Sequence, residues 1–285
     1  MAFHKAVAGK MRAGGTAGRS GFGTTTGGRA RRWAGTIPTA YWKVSGIAAD
    51  ATTLPDTSKA ANGFNGTLAG TVDEAGSDAT WNTTTTPPGS SQSLRLNGTD
   101  NVVTIPYNAK LKPTSVNKLS ISMWMKTTDT EGYMLCSEGA DGTTGWVYCA
   151  VGIPSAGADK PVAVYFFSGT NANWRAGWGD GSVVSNDDNW HHVVFVYDES
   201  AANSVVVYQD GAVTATNNDQ TGGWSSSSNN NVILQIGARQ NASKWYKFFL
   251  DEMAYYTDVG LTAAQVKDLY NNGVVLDSSA GIRKS

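Results

Sequence analysis

Apolar and polar residues alternate along most of this chain with the two-residue period of extended strands. The alternation is densest in Asn189-Trp190-His191-His192-Val193-Val194-Phe195-Val196-Tyr197-Asp198. Trp190, His192, Val194 and Val196 fall on one side of such a strand, and His191, Val193, Phe195 and Tyr197 on the other. Both sides carry large or β-branched side chains, the pattern of an interior strand covered on two faces. Ser204-Val205-Val206-Val207-Tyr208-Gln209 repeats the character, and Asp210-Gly211 then supplies the two-residue turn, tolerant of positive φ, that a tight hairpin needs. A meander of this kind belongs in an antiparallel sheet.

The same reading predicts strands at 41–44, 93–97, 101–105, 118–127, 132–137, 146–151, 161–167, 232–238 and 247–256. In 118–127, Leu119, Ile121, Met123 and Met125 face a core, while Trp124, among Ser120, Ser122 and Lys126, implies partial cover on the other side. One helix is predicted near the end. Thr262 and Gln265 form a capping box, Val266, Leu269 and Tyr270 a buried stripe, and Asn272-Gly273 the stop. Thr83 to Ser91 reads as an exposed connection, and 171–181 and 222–231 as long polar excursions. Loops on a rigid sandwich usually carry recognition, so both excursions are candidate working surfaces.

Six segments in order give this pattern a wider meaning. They are Tyr41-Trp42-Lys43 with Asp56-Thr57-Ser58 and Asn62-Gly63-Phe64-Asn65-Gly66-Thr67-Leu68; Ser93 to Pro106; Leu119 to Lys126; the Trp-His-His-Val strand with its Val-rich partner and Asp-Gly turn; Ile236-Gly237 with Phe249 to Tyr256; and Leu269-Tyr270-Asn271-Asn272-Gly273. Over roughly residues 40–275 the chain resembles the laminin-G-like, concanavalin A-like lectin/glucanase domains. The resemblance implies an all-β fold: a two-sheet antiparallel jelly-roll sandwich with one short C-terminal helix. It also implies a structural calcium ion between the opening loop and the last strand, at positions that Asp56 and Asp251 occupy here. The alternative is that Asp251 bonds the backbone of the opening loop directly.

Composition changes the picture at the N-terminus. Residues 1–39 are rich in Gly, Ala, Thr and Ser, carry Lys5, Lys10, Arg12, Arg19, Arg29, Arg31 and Arg32, and no acidic residue precedes Asp50. Those seven positive charges against a total of −1 leave residues 33–285 at −8. We therefore expect two parts: a basic, extended N-terminal anchoring arm at 1–39, with too few large apolar side chains to order alone, and one sandwich domain at 40–285. Acidic protein surfaces are the expected partner of the arm. Nucleic acid is the second reading, which no base-recognising pattern supports, and a solvated tail the third. The body, with ten Trp and 40% hydrophobic residues, has ample material for a core. No apolar run is long enough to span a bilayer, and the N-terminus has no secretory hydrophobic segment. Cys136 and Cys149 flank a hairpin loop; if the hairpin is centred on it they lie opposite one another and a cross-strand disulfide is geometrically possible, but nothing points to an oxidising compartment and two small buried thiols are the favoured reading.

The chemistry of the side chains points to binding without catalysis. Glycosidases of this fold use two carboxylates on one strand in a Glu-x-Asp-x-x-Glu pattern, and none of Glu74, Glu131, Glu138, Glu199 and Glu252 stands in that spacing. His191 and His192, adjacent on a strand, point to opposite faces and cannot share one metal or one acid–base site. Trp174 and Trp178 lie in one excursion beside Asn173, Arg175 and Asp180. Indole faces stack on sugar rings while the polar groups bond hydroxyls, so these five are the candidate glycan site, which Trp146, Trp224 and Trp245 could extend. Tryptophans folded down as plugs, or a protein contact, are the alternatives. A surface-type domain, a basic arm and no export signal together suggest a virion structural or attachment protein, whose arm binds capsid or tail proteins and which could form a homo-oligomer. A free carbohydrate-binding module, extracellular by another route, is the runner-up.

Overall fold

The computed structural model describes residues 35–60, 62–114, 118–138, 147–151, 162–167, 174–178, 184–216, 219–221, 232–239, 245–275 and 282–283. The chain divides into two units, Met1–Arg32 and Trp33–Ser285, and every described residue belongs to the second. In chain order the strands are β1 (Gly35–Thr36), β2 (Ala40–Trp42), β3 (Thr53–Leu54), β4 (Gly66–Ala69), β5 (Trp81–Asn82), β6 (Ser93–Asn97), β7 (Val102–Ile105), β8 (Lys118–Lys126), β9 (Gly132–Glu138) and β10 (Val147–Val151). They continue as β11 (Val162–Phe167), β12 (Trp174–Trp178), β13 (His191–Asp198), β14 (Val205–Gln209), β15 (Ala212–Thr216), β16 (Asp219–Thr221), β17 (Ile233–Ile236) and β18 (Lys247–Thr257). Helix α1 (Ala263–Tyr270) and β19 (Ile282–Arg283) follow.

Among the described residues all pairings are antiparallel. One sheet runs β16-β12-β11-β10-β9-β17-β7-β4-β3 and the other β15-β14-β13-β8-β18-β6-β5. The alternation of β13 explains its interior place: Val193, Phe195 and Tyr197 enter the core between the sheets, with Leu119, Ile121, Met123 and Met125 of β8. Its other face, through Val194 and Val196, joins Tyr41, Tyr208, Tyr256, Leu261, Val266 and Leu269 in a second apolar layer. Helix α1 supplies that cover, so the outward face of β8 is buried rather than partly exposed: Trp124 keeps only 3% of its surface, and its ring stacks on Tyr270 at 6.1 Å. The capping box is present, with the Thr262 side chain accepting from the Gln265 amide and the Gln265 side chain answering to the Thr262 backbone.

Strand β18 changes partner along one edge. Lys247 to Leu250 pair with β6, and Met253 to Tyr255 pair with β2. Between these two stretches the register against β8 shifts, and Glu252 takes a φ of 52°. A bulge at such a junction re-aims side chains that regular pleating would send elsewhere.

One alternative is decided and two expectations are revised. Cys136 stands opposite Tyr148, and Cys149 opposite Leu135. The two cysteines thus start from neighbouring register positions on opposite sheet faces, which excludes a cross-strand bridge, and both are free and buried. The stretch Trp174 to Trp178, read as loop, is a strand between β11 and β16. Residues 35–39, assigned to the arm, are held by the sandwich: β1 pairs with β19, the Thr39 amide donates to Tyr255 O at 2.8 Å, and Gln265 Nε2 donates to Thr36 Oγ1 at 3.1 Å. Residues 1–34 of that arm lie outside the described residues.

Candidate functional site

The bulge on β18 concentrates polar groups in an otherwise apolar region. Asp251 is fully buried, and its Oδ1 accepts from the main-chain amides of Val44 at 3.0 Å and Glu252 at 2.8 Å. This is the direct bond from Asp251 to the opening segment. Its Oδ2 has no well-formed hydrogen bond. The Ser90 hydroxyl stands near it but donates to Gln92 O at 3.0 Å. Burial pushes the Asp251 carboxyl up to about 6, against the opposing influence of Ser90, the two amides and the Lys43 charge. Glu252, nearly buried, faces Lys43 Nζ at 3.7 Å. Both line a pocket of about 590 Å³ together with Ser45, Ser90, Ser91 and Val275.

Asp56 does different work. Its Oδ1 accepts from the amides of Tyr41 at 3.1 Å and Ser58 at 2.9 Å, and its Oδ2 from Phe64 at 3.1 Å. Three amide donors aimed at one carboxylate close the 56–64 loop onto β2. Asp56 Oδ2, with a single amide donor, keeps one acceptor site. Asp251 Oδ2 offers a second oxygen, and no group of three His, Cys, Asp or Glu side chains suited to a metal gathers among the described residues.

A second polar cluster stands where β13 begins. His191 Nδ1 lies 2.7 Å from Asp210 Oδ2, and its Nε2 lies 3.0 Å from Asp187 Oδ1. Asp210, at a φ of 53° in the turn between β14 and β15, also accepts from the His192 amide at 2.9 Å. Asp187 accepts from the amide and the side chain of Asn189, and its carboxyl is held down at about 2 by these bonds and by His191, which outweigh its burial. Although burial opposes the charge on His191, its two carboxylate partners raise the ring's pKa above the ordinary value. His192 points the other way, as the alternation requires. It bonds Ser122 Oγ at 2.9 Å between Trp124 and Tyr270, and burial lowers it to about 4. Sequence reasoning separated the two histidines correctly but missed the carboxylates. The only available signal was the Asp of the Asp-Gly turn.

Of the candidate glycan residues, Trp174, Arg175 and Trp178 are placed on β12, where Trp174 pairs with Phe167 and Thr221, and Trp178 with Ala163. Asn173 and Asp180 lie outside the described residues, as do Trp146 and Trp224. Trp245, half-buried, forms an isolated bridge to Ala238.

Two facing antiparallel sheets with a capped helix on one outer face define a lectin-type β-sandwich. The chain belongs to the concanavalin A-like lectin/glucanases superfamily, whose family model matches residues 97–267. No curated protein matches it. Among solved structures, the receptor-binding domain of botulinum neurotoxin C/D mosaic serotype superposes with a TM-score of 0.55 at 11% identity, over 82% of this chain and 51% of that one. Domain 4 of AbnA, a GH43 extracellular arabinanase from Geobacillus stearothermophilus, in complex with arabinotriose, gives 0.54 at 19%, over 82% and 98%. The botulinum neurotoxin serotype D ligand-binding domain in complex with N-acetylneuraminic acid gives 0.52 at 11%, over 82% and 50%. The chain thus spans about half the length of the toxin domains and nearly all of the arabinanase domain. Among the described residues no helix is long and apolar enough to cross a membrane.

Proposed function

We propose that this protein is a non-enzymatic carbohydrate-binding module, carried on a larger assembly of the virion type by its basic N-terminal residues. The observation that carries the binding half is the placement of Trp174, Arg175 and Trp178 on β12, one position from the edge of a lectin-type sandwich. Trp174 and Trp178, four positions apart, share one register face of that strand, and two indoles in that spacing suit a sugar's apolar face; Arg175 takes an alternate position. Two proteins of like fold, solved with arabinotriose and with N-acetylneuraminic acid, support the ligand class. The non-enzymatic half rests on the sequence: none of the five glutamates stands in a Glu-x-Asp-x-x-Glu spacing.

A glycan array probed with the full chain tests the reading. Binding to defined glycans, lost in Trp174→Ala and Trp178→Ala variants that retain the wild-type melting temperature, is the expected result. Silence across the array, or binding indifferent to both substitutions, overturns it; turnover of a polysaccharide overturns the non-enzymatic half. Calcium, as a cofactor, is proposed at Asp56 and Asp251.

A further inference from the structure

We propose that His191, set between Asp187 and Asp210, is a pH-operated clamp that ties the 184–189 segment to the turn joining β14 and β15. Each ring nitrogen faces a carboxylate oxygen, at 2.7 Å and 3.0 Å. A neutral imidazole carries one N–H and satisfies only one of them, whereas the imidazolium donates to both. The arrangement is therefore complete only when the ring is charged.

The neutral ring has one well-matched alternative. Gln209 Nε2 lies 3.1 Å from His191 Nδ1, and its amide orientation is fixed by bonds from Ser185 Oγ at 2.6 Å and to Val184 O at 3.0 Å. With Nδ1 unprotonated, that nitrogen accepts from Gln209 while Nε2–H keeps Asp187. The link to Asp210 is then the one that breaks, because a lone pair confronts its carboxylate. Deprotonation thus removes one of the bonds that hold the Asp210-Gly211 turn, which keeps the bond from the Asp210 amide to His192 O, and leaves the 184–189 segment attached to β13 and, through Gln209, to β14.

The surrounding charges leave the switch to His191. Asp187 is ionised far below neutrality. Asp188, next to it, is paired with Lys126 of β8 at 2.6 Å, and its amide donates to Thr127 O at 3.1 Å. His192, on the opposite face, stays neutral until about 4. The sign follows: a histidine raised on folding stabilises the fold fully below its unfolded value near 6.5, and that contribution is lost as pH rises through the folded value.

Two measurements on the full chain test this. Histidine NMR titration places His191 above 6.5 in the wild type and lower in Asp210→Asn. Hydrogen exchange reads the His192 amide, which Asp210 holds, and the Asp188 amide, which Thr127 holds. Between pH 6 and 9 the protection factor of His192 falls as His191 loses its proton, while that of Asp188 does not move. His191→Gln abolishes the pH dependence. If that variant does not fold, Asp187→Asn, at an exposed carboxylate, must lower the His191 titration instead. A His191 that titrates at or below 6.5, or protection at His192 independent of pH in the wild type, overturns the clamp.

Discussion

Asp251 shows how one buried carboxylate both builds and burdens a fold. Its Oδ1 pins the opening segment through Val44, while its Oδ2 lies buried without a well-formed bond. Because its carboxyl is raised to about 6, the folded state holds the proton more tightly than the unfolded chain, whose value is near 3.8. Stability contributed by this group is therefore highest in acid and declines as pH rises from about 4 to 6, by at most about 3 kcal/mol, and is flat above. Urea unfolding between pH 4.5 and 7.5 should show this decline in the wild type and its absence in Asp251→Asn. Millimolar calcium, bound through Oδ2, should raise the wild-type melting temperature above pH 6 and leave Asp251→Asn unchanged; a wild type indifferent to calcium and to chelator removes the ion from this protein. The window lies below that of His191, so the two groups separate in one pH series.

At the scale of elements, register decides what neighbouring residues can do. Cys136 and Cys149 sit on paired strands, yet an offset of one residue sends them to opposite faces, and burial raises the Cys149 thiol well above its ordinary value. Oxidised protein unfolded in denaturant should still yield two free thiols per chain in a thiol assay; a single disulfide would contradict the register of β9 and β10. Helix α1 depends on its capping box and on Val266 and Leu269, which cover the outer face of β8 and β13. Thr262→Ala removes an acceptor from the first turn and should cost about 1 kcal/mol by chemical denaturation, without change in the far-ultraviolet signature of the sheets. The bulge at Asp251 and Glu252 belongs to this scale too. Against β8 it falls where, on the other edge of β18, the pairing passes from β6 to β2.

For the molecule as a whole, charge is divided between an acidic body and a basic leader. Residues 33–285 sum to −8, with seven positive charges before them. The termini of the described sandwich meet, since β1 pairs with β19 and α1 reaches Thr36 through Gln265. Removal of residues 1–34, which spares these contacts, should leave the melting temperature of the sandwich unchanged and, if the proposed anchoring holds, abolish incorporation into the proposed assembly; unchanged incorporation would sink the proposal. Deletion through residue 39 should instead lower stability, because the Thr39 bonds to β18 go with it.

Much of this architecture was legible in the order of residues. The alternation in 191–198 and 118–126 already assigned each side chain to one of two faces, because a pleated strand offers no other choice. The capping box at Thr262 and the turn at Asp210-Gly211 were readable for a similar reason, since both are local bonding patterns within a few residues. Contacts between distant segments were not. The pairing of Trp174 to Trp178 with β11 and β16, the one-residue offset of the cysteines, the change of partner at Asp251 and the two carboxylates about His191 all join segments whose registers are set by loops and bulges. Local pattern specifies which way a side chain points; only the closed sheets decide what it meets there, because that depends on the stagger of strands far apart in the chain.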